Sequence, residues 1–313
     1  MRRRFPVPVL LVTAVTLAGL LAGCGNGGST AAPSTAATAA ATFPATAGGV
    51  TLAQRPTHII SLTPTGTEML FAIGADSQVT AVDDQSNYPA GVPKTDLSSY
   101  QPNAEAVASH NPDLVVISDD STKIKAQLTA LKIPVYQMPA ATTLDDTYAE
   151  LTALGTLTGH PSEAAGVAKQ IKDGVAGLVA AVPKRTKPLT VYYELDQTYY
   201  SVTSATFIGR ALRLLGLTSI ADSAKGAAAS GGYPQLSAEF ILSADPGYVF
   251  LADTRCCKQS LVTVARRPGW ATLSAVQNGR VLALDDDIAS RWGPRIVDLL
   301  RTVADAIQQH PLQ

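Results

Sequence analysis

The stretch "YQPNAEAVASHNPDLVVISD", Tyr100 to Asp119, recurs in altered form as "YPQLSAEFILSADPGYVFLAD", Tyr233 to Asp253. Aligned on Glu105 and Glu239, the copies share Ala104/Ala238, Ser109/Ser243, Pro112/Pro246, Val115/Val249 and Asp119/Asp253, and each carries a tyrosine shortly before its glutamate. Each copy reads as a short helix stopped by Asn111-Pro112 or Asp245-Pro246, because proline cannot continue the helical ladder and restricts the residue before it. The runs that follow, "DLVVIS" and "YVFLAD", hold too few polar residues for a half-exposed strand and suit a parallel sheet buried on both faces. Any α/β protein repeats helix-turn-strand units, which accounts for the shared proline and valine. It does not account for the matched Glu and Tyr, so the chain is expected to carry one such module in each of two lobes.

The rest of the sequence fits that division. "HIISL", "QVTAV", "DLVVIS" and "PVYQM" read as strands of a first lobe over 55–143. The helix "TPTGTEMLFAIGA" follows the first strand, with Thr65 and Glu68 spaced as a capping box and Gly74 as its stop. From 144 to 187 the pattern is helical and broken only at "GHPS", where Pro161 starts a new segment. This is expected to be one long helical linker. "KPLTVYYELD", "YVFLAD" and "RVLALD", with helices between them and one from about Pro294 to Gln308, make a second lobe over 188–313. The expected fold is α/β: two small lobes with parallel-type sheets, one long linker helix and a ligand cleft between the lobes.

The N-terminus leads to the expectation of a chain exported from the cytoplasm. "MRRRFPVPVLLVTAVTLAGLLAGC" has an arginine-rich start and an apolar run too short to span a bilayer, so residues 1–23 read as a secretory signal. "LAGC" resembles the lipobox of bacterial lipoproteins, which implies lipidation of Cys24 and anchoring to the cell membrane. Residues 25–49 are Gly, Ser, Thr, Ala and Pro with almost no bulky side chain, and 24–54 is expected to be a lipidated cysteine and a flexible tether.

In open α/β sheets ligands bind outside the carboxyl ends of the strands. The loops there are "DDQSNY", "SSYQ", "SDDST", "DQTYYS", "SGGYPQ" and "DDDIASRWG". They hold Tyr88, Tyr100, Tyr199, Tyr200, Tyr233 and Trp292 in a chain that is only 6% aromatic, a concentration suited to stacking on a large, partly apolar ligand. Asp119 lies in the same set. A net charge of −1 gives no reason to expect nucleic acid.

With "IISLTPTGTEMLFAIGA", the two repeat copies and "PGWATLSAVQNGRVLALDDDIASRWGPRIVDLL", the chain from about Arg55 to Ile307 resembles the class III periplasmic binding proteins. These are the substrate-binding components of ABC importers for cobalamin, haem and iron-siderophores. The likeness is greatest to the cobalamin binders, and it implies a corrinoid as transported ligand, with Tyr100, Tyr233 and Tyr200 or its neighbour Tyr199 against the corrin ring. It also places Asp287 and Arg291 at the ligand, and Glu105 and Glu239 in ion pairs with a dimeric permease. Haem or a ferric siderophore is the alternative. His58, His110, His160 and His310 all lie away from strand carboxyl ends, which disfavours histidine-ligated haem. A siderophore would want an arginine cluster, and only Arg255 and Arg291 stand out.

The adjacent Cys256 and Cys257 follow a strand, and an oxidising compartment makes a vicinal disulfide the expected state. No spaced metal-ligand motif supplies a metal site. No nucleophile, zinc-protease or phosphate-loop motif stands in a suitable context, so the expectation is a monomeric capture protein with no resident cofactor, not an enzyme. A sensor without a transporter is a further possible role.

Overall fold

The computed structural model describes residues 42–312, so the expected signal peptide, Cys24 and most of the tether lie outside the described residues. Regular structure is already present before Arg55. Strands β1 (Ala45–Ala47) and β2 (Val50–Leu52) form an antiparallel hairpin. Gly48 and Gly49 turn it with φ of 55° and 76°, the left-handed conformation that a two-residue hairpin loop demands at both positions. Ala45, Val50 and Leu52 are buried, and β1 packs on the first linker helix, over Leu144–Thr158. The expectation of a tether reaching residue 54 is therefore corrected. Three-residue strands among Gly, Ala and Thr carry too little periodicity to show in sequence, yet two alternate apolar side chains suffice to dock them.

The first lobe is a four-stranded parallel sheet of β3 (Ile59–Leu62), β4 (Val79–Val82), β5 (Leu114–Ile117) and β6 (Val135–Gln137), in the order β4-β3-β5-β6. Helices α1 (Pro64–Ala72), α2 (Ala104–Ser109) and α3 (Ile124–Ala130) connect the strands. Both β3 and β5 are buried along their whole length, as runs of Ile, Leu and Val require of a sheet covered on both faces.

The second lobe has β7 (Leu189–Glu194), β8 (Leu217–Ser219), β9 (Tyr248–Leu251) and β10 (Val281–Ala283), all parallel, in the order β8-β7-β9-β10. Its helices are α6 (Phe207–Leu214), α7 (Ala238–Ala244), α8 (Leu261–Ala265), α9 (Ser274–Gln277), α10 (Asp286–Ser290) and α11 (Ile296–Gln309). Substituting β7 for β3, β8 for β4, β9 for β5 and β10 for β6 turns one strand order into the other. The sequence repeat is thus α2–β5 and α7–β9, the same step of the same topology. Asn103 caps α2 through the Ala106 amide at 2.9 Å, and Ser237 caps α7 through the Phe240 amide at 3.1 Å. Asn111 and Asp245, each directly before its proline, both have positive φ.

Between the lobes run α4 (Leu144–Thr158) and α5 (Pro161–Ala181). A reciprocal Thr143/Asp146 capping box starts α4, Gly159 ends it at φ 81°, and Pro161 opens the 21-residue α5. This is the break that "GHPS" announces. Helix α4 packs on α1 and β1 of the first lobe, and α5 packs on α4 and on α11 of the second. The close approach at the break depends on Gly155, where an added Cβ would lie 2.5 Å from the Ala164 Cβ and 2.9 Å from the His160 carbonyl oxygen. Gly155→Ala is expected to destabilise the fold by about 1–3 kcal/mol despite its better helix propensity, because the added methyl meets backbone. A denaturation midpoint unchanged or raised in that variant would mean that α4 and α5 can part without cost.

Candidate functional site

Loops that follow strand carboxyl ends in the two lobes meet where Gln85 and Asn87, after β4, bond Arg291 and Asp287, after β10. In the second lobe, two of these loops are stitched together: Ser201 N donates to the Pro234 carbonyl at 3.0 Å, Thr203 N to Gly232 at 2.8 Å and Leu236 N to Tyr199 at 3.0 Å. This irregular ladder brings Tyr200 and Tyr233 into one place. Their rings are 40% and 45% exposed, Tyr88 is 46% and Tyr100 is 76% exposed, which is unusual for large aromatic side chains and leaves four rings open to a ligand.

Tyr199 does otherwise. With φ of 71° its side chain turns inward, stacks on Trp270 at 5.6 Å between centroids and lies near the Arg267 guanidinium. Of the two neighbouring tyrosines, Tyr200 is the one with a free face. Trp292 is also held: its indole Nε1 donates to Glu150 at 3.0 Å, and its carbonyl accepts from Thr147 at 2.9 Å, so it joins the second lobe to α4.

Asp287 and Arg291 stand within a charge network that crosses the lobes. Arg291 is only 8% exposed; it donates to Glu68 at 2.6 Å, to the Asn87 side chain at 3.1 Å, to Asp287 at 2.8 Å and to the Gln85 carbonyl at 3.3 Å. Asp287 also accepts from Asn87 at 2.8 Å and from Arg255 at 2.5 Å. Arg295 adds two bonds to Glu68, from Nε at 2.9 Å and Nη2 at 2.5 Å. Glu68, Asn87 and Arg295 were not among the expected site residues.

The expected Thr65/Glu68 capping box is not formed: Thr63 is the N-cap of α1, with no side-chain cap. Residues 65–70 of that helix are all buried, and a carboxylate in such surroundings takes the two guanidinium groups instead of the helix end. The available signal was an acid inside an otherwise apolar and small-residue run.

The repeat partners Asp119 and Asp253 have separated in role. Asp119 is exposed, and bonds from the Ser121 hydroxyl and amide hold its carboxyl below the usual range. Asp253 is fully buried, and burial, reinforced by the negative charge of Glu194, pushes its carboxyl up to about 7 against the opposing pull of Arg267. Arg267 itself clasps Glu194 with two 2.6 Å bonds.

Cys256 and Cys257 are free thiols, which corrects the expected disulfide. Consecutive Cα atoms across a trans peptide lie about 3.8 Å apart, inside the spacing a relaxed disulfide prefers. Hydrogen bonds from Cys256 N to Asp286 at 2.8 Å and from Cys257 N to the Asp253 carbonyl at 3.2 Å hold the loop in a turn. Among the described residues no cluster of three or more His, Cys, Asp or Glu side chains is arranged to hold a metal ion. None of the four histidines lies at these loops: His58 precedes β3, His110 ends α2, His160 joins α4 to α5, and His310 follows α11. Glu105 and Glu239 are both exposed in the first turns of α2 and α7.

Comparison with known proteins agrees with this architecture. Residues 59–288 match the periplasmic binding protein family. A cobalamin-binding protein of Halobacterium salinarum is 30% identical over 265 residues, covering 82% of this chain and 71% of that one. An uncharacterized ABC transporter substrate-binding lipoprotein of Bacillus subtilis is 28% identical over 313 residues, 95% of each chain. Among solved structures, the periplasmic vitamin B12 binding protein of Vibrio cholerae superposes with a TM-score of 0.67 at 25% identity, over 82% of this chain and 98% of that one.

The Glu150–Trp292 contact carries a pH dependence. Burial pushes the Glu150 carboxyl up to about 8, partly offset by the Trp292 hydrogen bond. Between the unfolded value of 4.5 and about 8, the folded protein keeps a proton that the unfolded chain has released, so stability falls as pH rises through that window. Glu150→Gln keeps an oxygen for Trp292 and removes the titration. The melting temperature of the variant is expected to decline less than the wild type's from pH 4.5 to 8; parallel curves would show that Glu150 is charged and solvated in the native state.

Proposed function

The chain belongs to the periplasmic binding protein family, the substrate-binding proteins of ABC importers for vitamin B12, haem and iron chelates, and on that premise we propose that it captures a corrinoid and hands it to a membrane permease. The observation that carries this reading is the set of four open tyrosine rings, Tyr88 and Tyr100 from one lobe and Tyr200 and Tyr233 from the other, at the carboxyl ends of both sheets. Rings on two sides suit a wide, flat, partly apolar ligand.

Charge argues in the same direction. Arg255, Arg291 and Arg295 are matched by Asp285, Asp287 and Glu68, so the junction offers no unpaired arginine cluster for a polyanionic siderophore. Haem held by a tyrosinate is the second reading, since the phenols of Tyr200 and Tyr233 are available. Burial raises the Tyr233 phenol above its ordinary value, which disfavours the phenolate that iron ligation requires.

The ligand is cargo, and no resident cofactor is needed. A non-catalytic role is supported by the chain's membership of a family of solute-binding proteins. Cys24 would carry the acyl anchor that holds the protein at the outer face of the cytoplasmic membrane. No described helix is long and apolar enough to cross a membrane.

Titration of the purified protein with cyanocobalamin, haemin and ferric siderophores, followed by absorption and calorimetry, tests the ligand. Cobalamin binding with retention of most affinity in Tyr200→Phe and Tyr233→Phe is expected. Silence with corrinoids beside clear haem binding that Tyr233→Phe abolishes would replace the reading by its rival.

Glu105 and Glu239 head equivalent helices, so a permease dimer would meet one carboxylate from each lobe. Two such contacts act through effective concentration, and losing either weakens both. The Glu105→Ala/Glu239→Ala protein is expected to bind ligand normally and to fail in uptake; full transport by a folded double variant would leave the repeat as architecture only.

A further inference from the structure

Tyr88 differs from the other three open tyrosines in having a cation behind it. The guanidinium carbon of Arg295 lies 4.1 Å from the centre of the Tyr88 ring. That guanidinium is itself fixed, because its Nε and Nη2 both donate to Glu68 at 2.9 and 2.5 Å. A fork clasping a carboxylate uses its in-plane donors and leaves its flat face for the ring. Glu68 in turn has a side chain only 1% exposed, on α1, and is held from a second side by Arg291. The residue before Tyr88 is pinned as well: the Asn87 amide spans Asp287 and Arg291. One lobe thus supplies the ring and the buried acid, and the other supplies the cation between them.

We propose that Arg295 and Glu68 are positioning residues that hold Tyr88 as a pre-set stacking face for a flat, conjugated macrocycle. The inference deepens the corrinoid reading and rests on it. A surface tyrosine on a loop normally samples several rotamers and must lose that freedom when it stacks. Here the guanidinium already occupies one face, and the other is open. Ordering of this ring is therefore complete before the ligand arrives, whereas Tyr100, with most of its surface in solvent, has no such backing. Contact from the guanidinium also spans the lobes, so the platform and the lobe spacing are set by the same residues. None of this requires Arg295 to touch the ligand.

The test is a double-mutant cycle on the full chain, with cyanocobalamin and haemin as probes. Tyr88→Ala and Arg295→Ala are each expected to weaken binding about tenfold, the size of one stacking or cation–π contact, and the combined variant to be no weaker than either. Arg295→Lys should fall between, since it keeps the charge and loses the fork. A readout without ligand comes from 3-fluorotyrosine placed at position 88: its fluorine resonance should shift in Arg295→Lys and in Glu68→Gln, while the same label at position 100 does not respond. Additive losses in the cycle, or a position-88 resonance unmoved in both variants, would overturn the proposal. A wild-type protein that binds neither macrocycle would refute the functional reading, and the fluorine resonance would still decide the positioning claim by itself.

Discussion

A buried carboxylate between two guanidinium groups is the constraint on which this structure turns. Glu68 sits inside the first lobe, and Arg291 and Arg295 enter from the second. Removing one member of a buried ionic set leaves a charge without its partner, at a cost of about 3–5 kcal/mol, whereas the intact set adds little stability over apolar packing. The arrangement is therefore better understood as geometric than as stabilising. It sets how far apart the lobes lie, and because Asp287, Asn87 and Tyr88 hang on the same two arginines, it also sets the floor of the cleft. Helices α4 and α5 act in the same sense, since they pack on each other and on both lobes with no extended segment between. Hinge motion needs a few residues free to change φ and ψ, and neither connection supplies an obvious set.

Much of this was legible in the sequence because repetition is a strong signal. Matching "AEAVASHNPDLVVIS" to "AEFILSADPGYVFLA" predicted one module per lobe, and the sheet orders β4-β3-β5-β6 and β8-β7-β9-β10 give that module the same place in each. The wholly apolar runs of β5 and β9 are buried throughout, as their composition requires. Exposed tyrosines were legible for a similar reason: at strand carboxyl ends they had little apolar sequence around them to be buried in.

What escaped the sequence depends on partners far along the chain. Glu68 meets Arg291 across 223 positions, and only local spacing was readable, so a capping box took its place. The hairpin at Ala45–Leu52 is too short to show a period and exists because α4 lies against it. Tyr199 and Tyr200 are adjacent and identical in type; a single left-handed φ at Tyr199 sends one ring into the core and leaves the other open. The cysteine pair was read from the expected compartment, whereas the two residues stand as free thiols in a turn held by Asp286 and the Asp253 carbonyl.

The divergence of the repeat at its last matched residue shows how the two lobes came to differ chemically on one frame. Asp119 remains at the surface, where the Ser121 hydroxyl and amide hold its carboxyl below the usual range. Asp253 has been drawn beneath the loop that follows β9, next to Glu194 and Arg267, with neither of its oxygens bonded to a protein donor. Two buried acids and one guanidinium do not balance, and the mismatch appears as a carboxyl that holds its proton to about pH 7. The first lobe places a buried acid, Glu68, where the other lobe's cations reach it; the second places its own, Glu194, where its own Arg267 does. Glu194 thereby finds its cation within its own lobe, and Glu68 only across the junction. That asymmetry follows from side chains alone, since the backbone topology of the lobes is the same, and it is what turns two copies of a module into a single binding body.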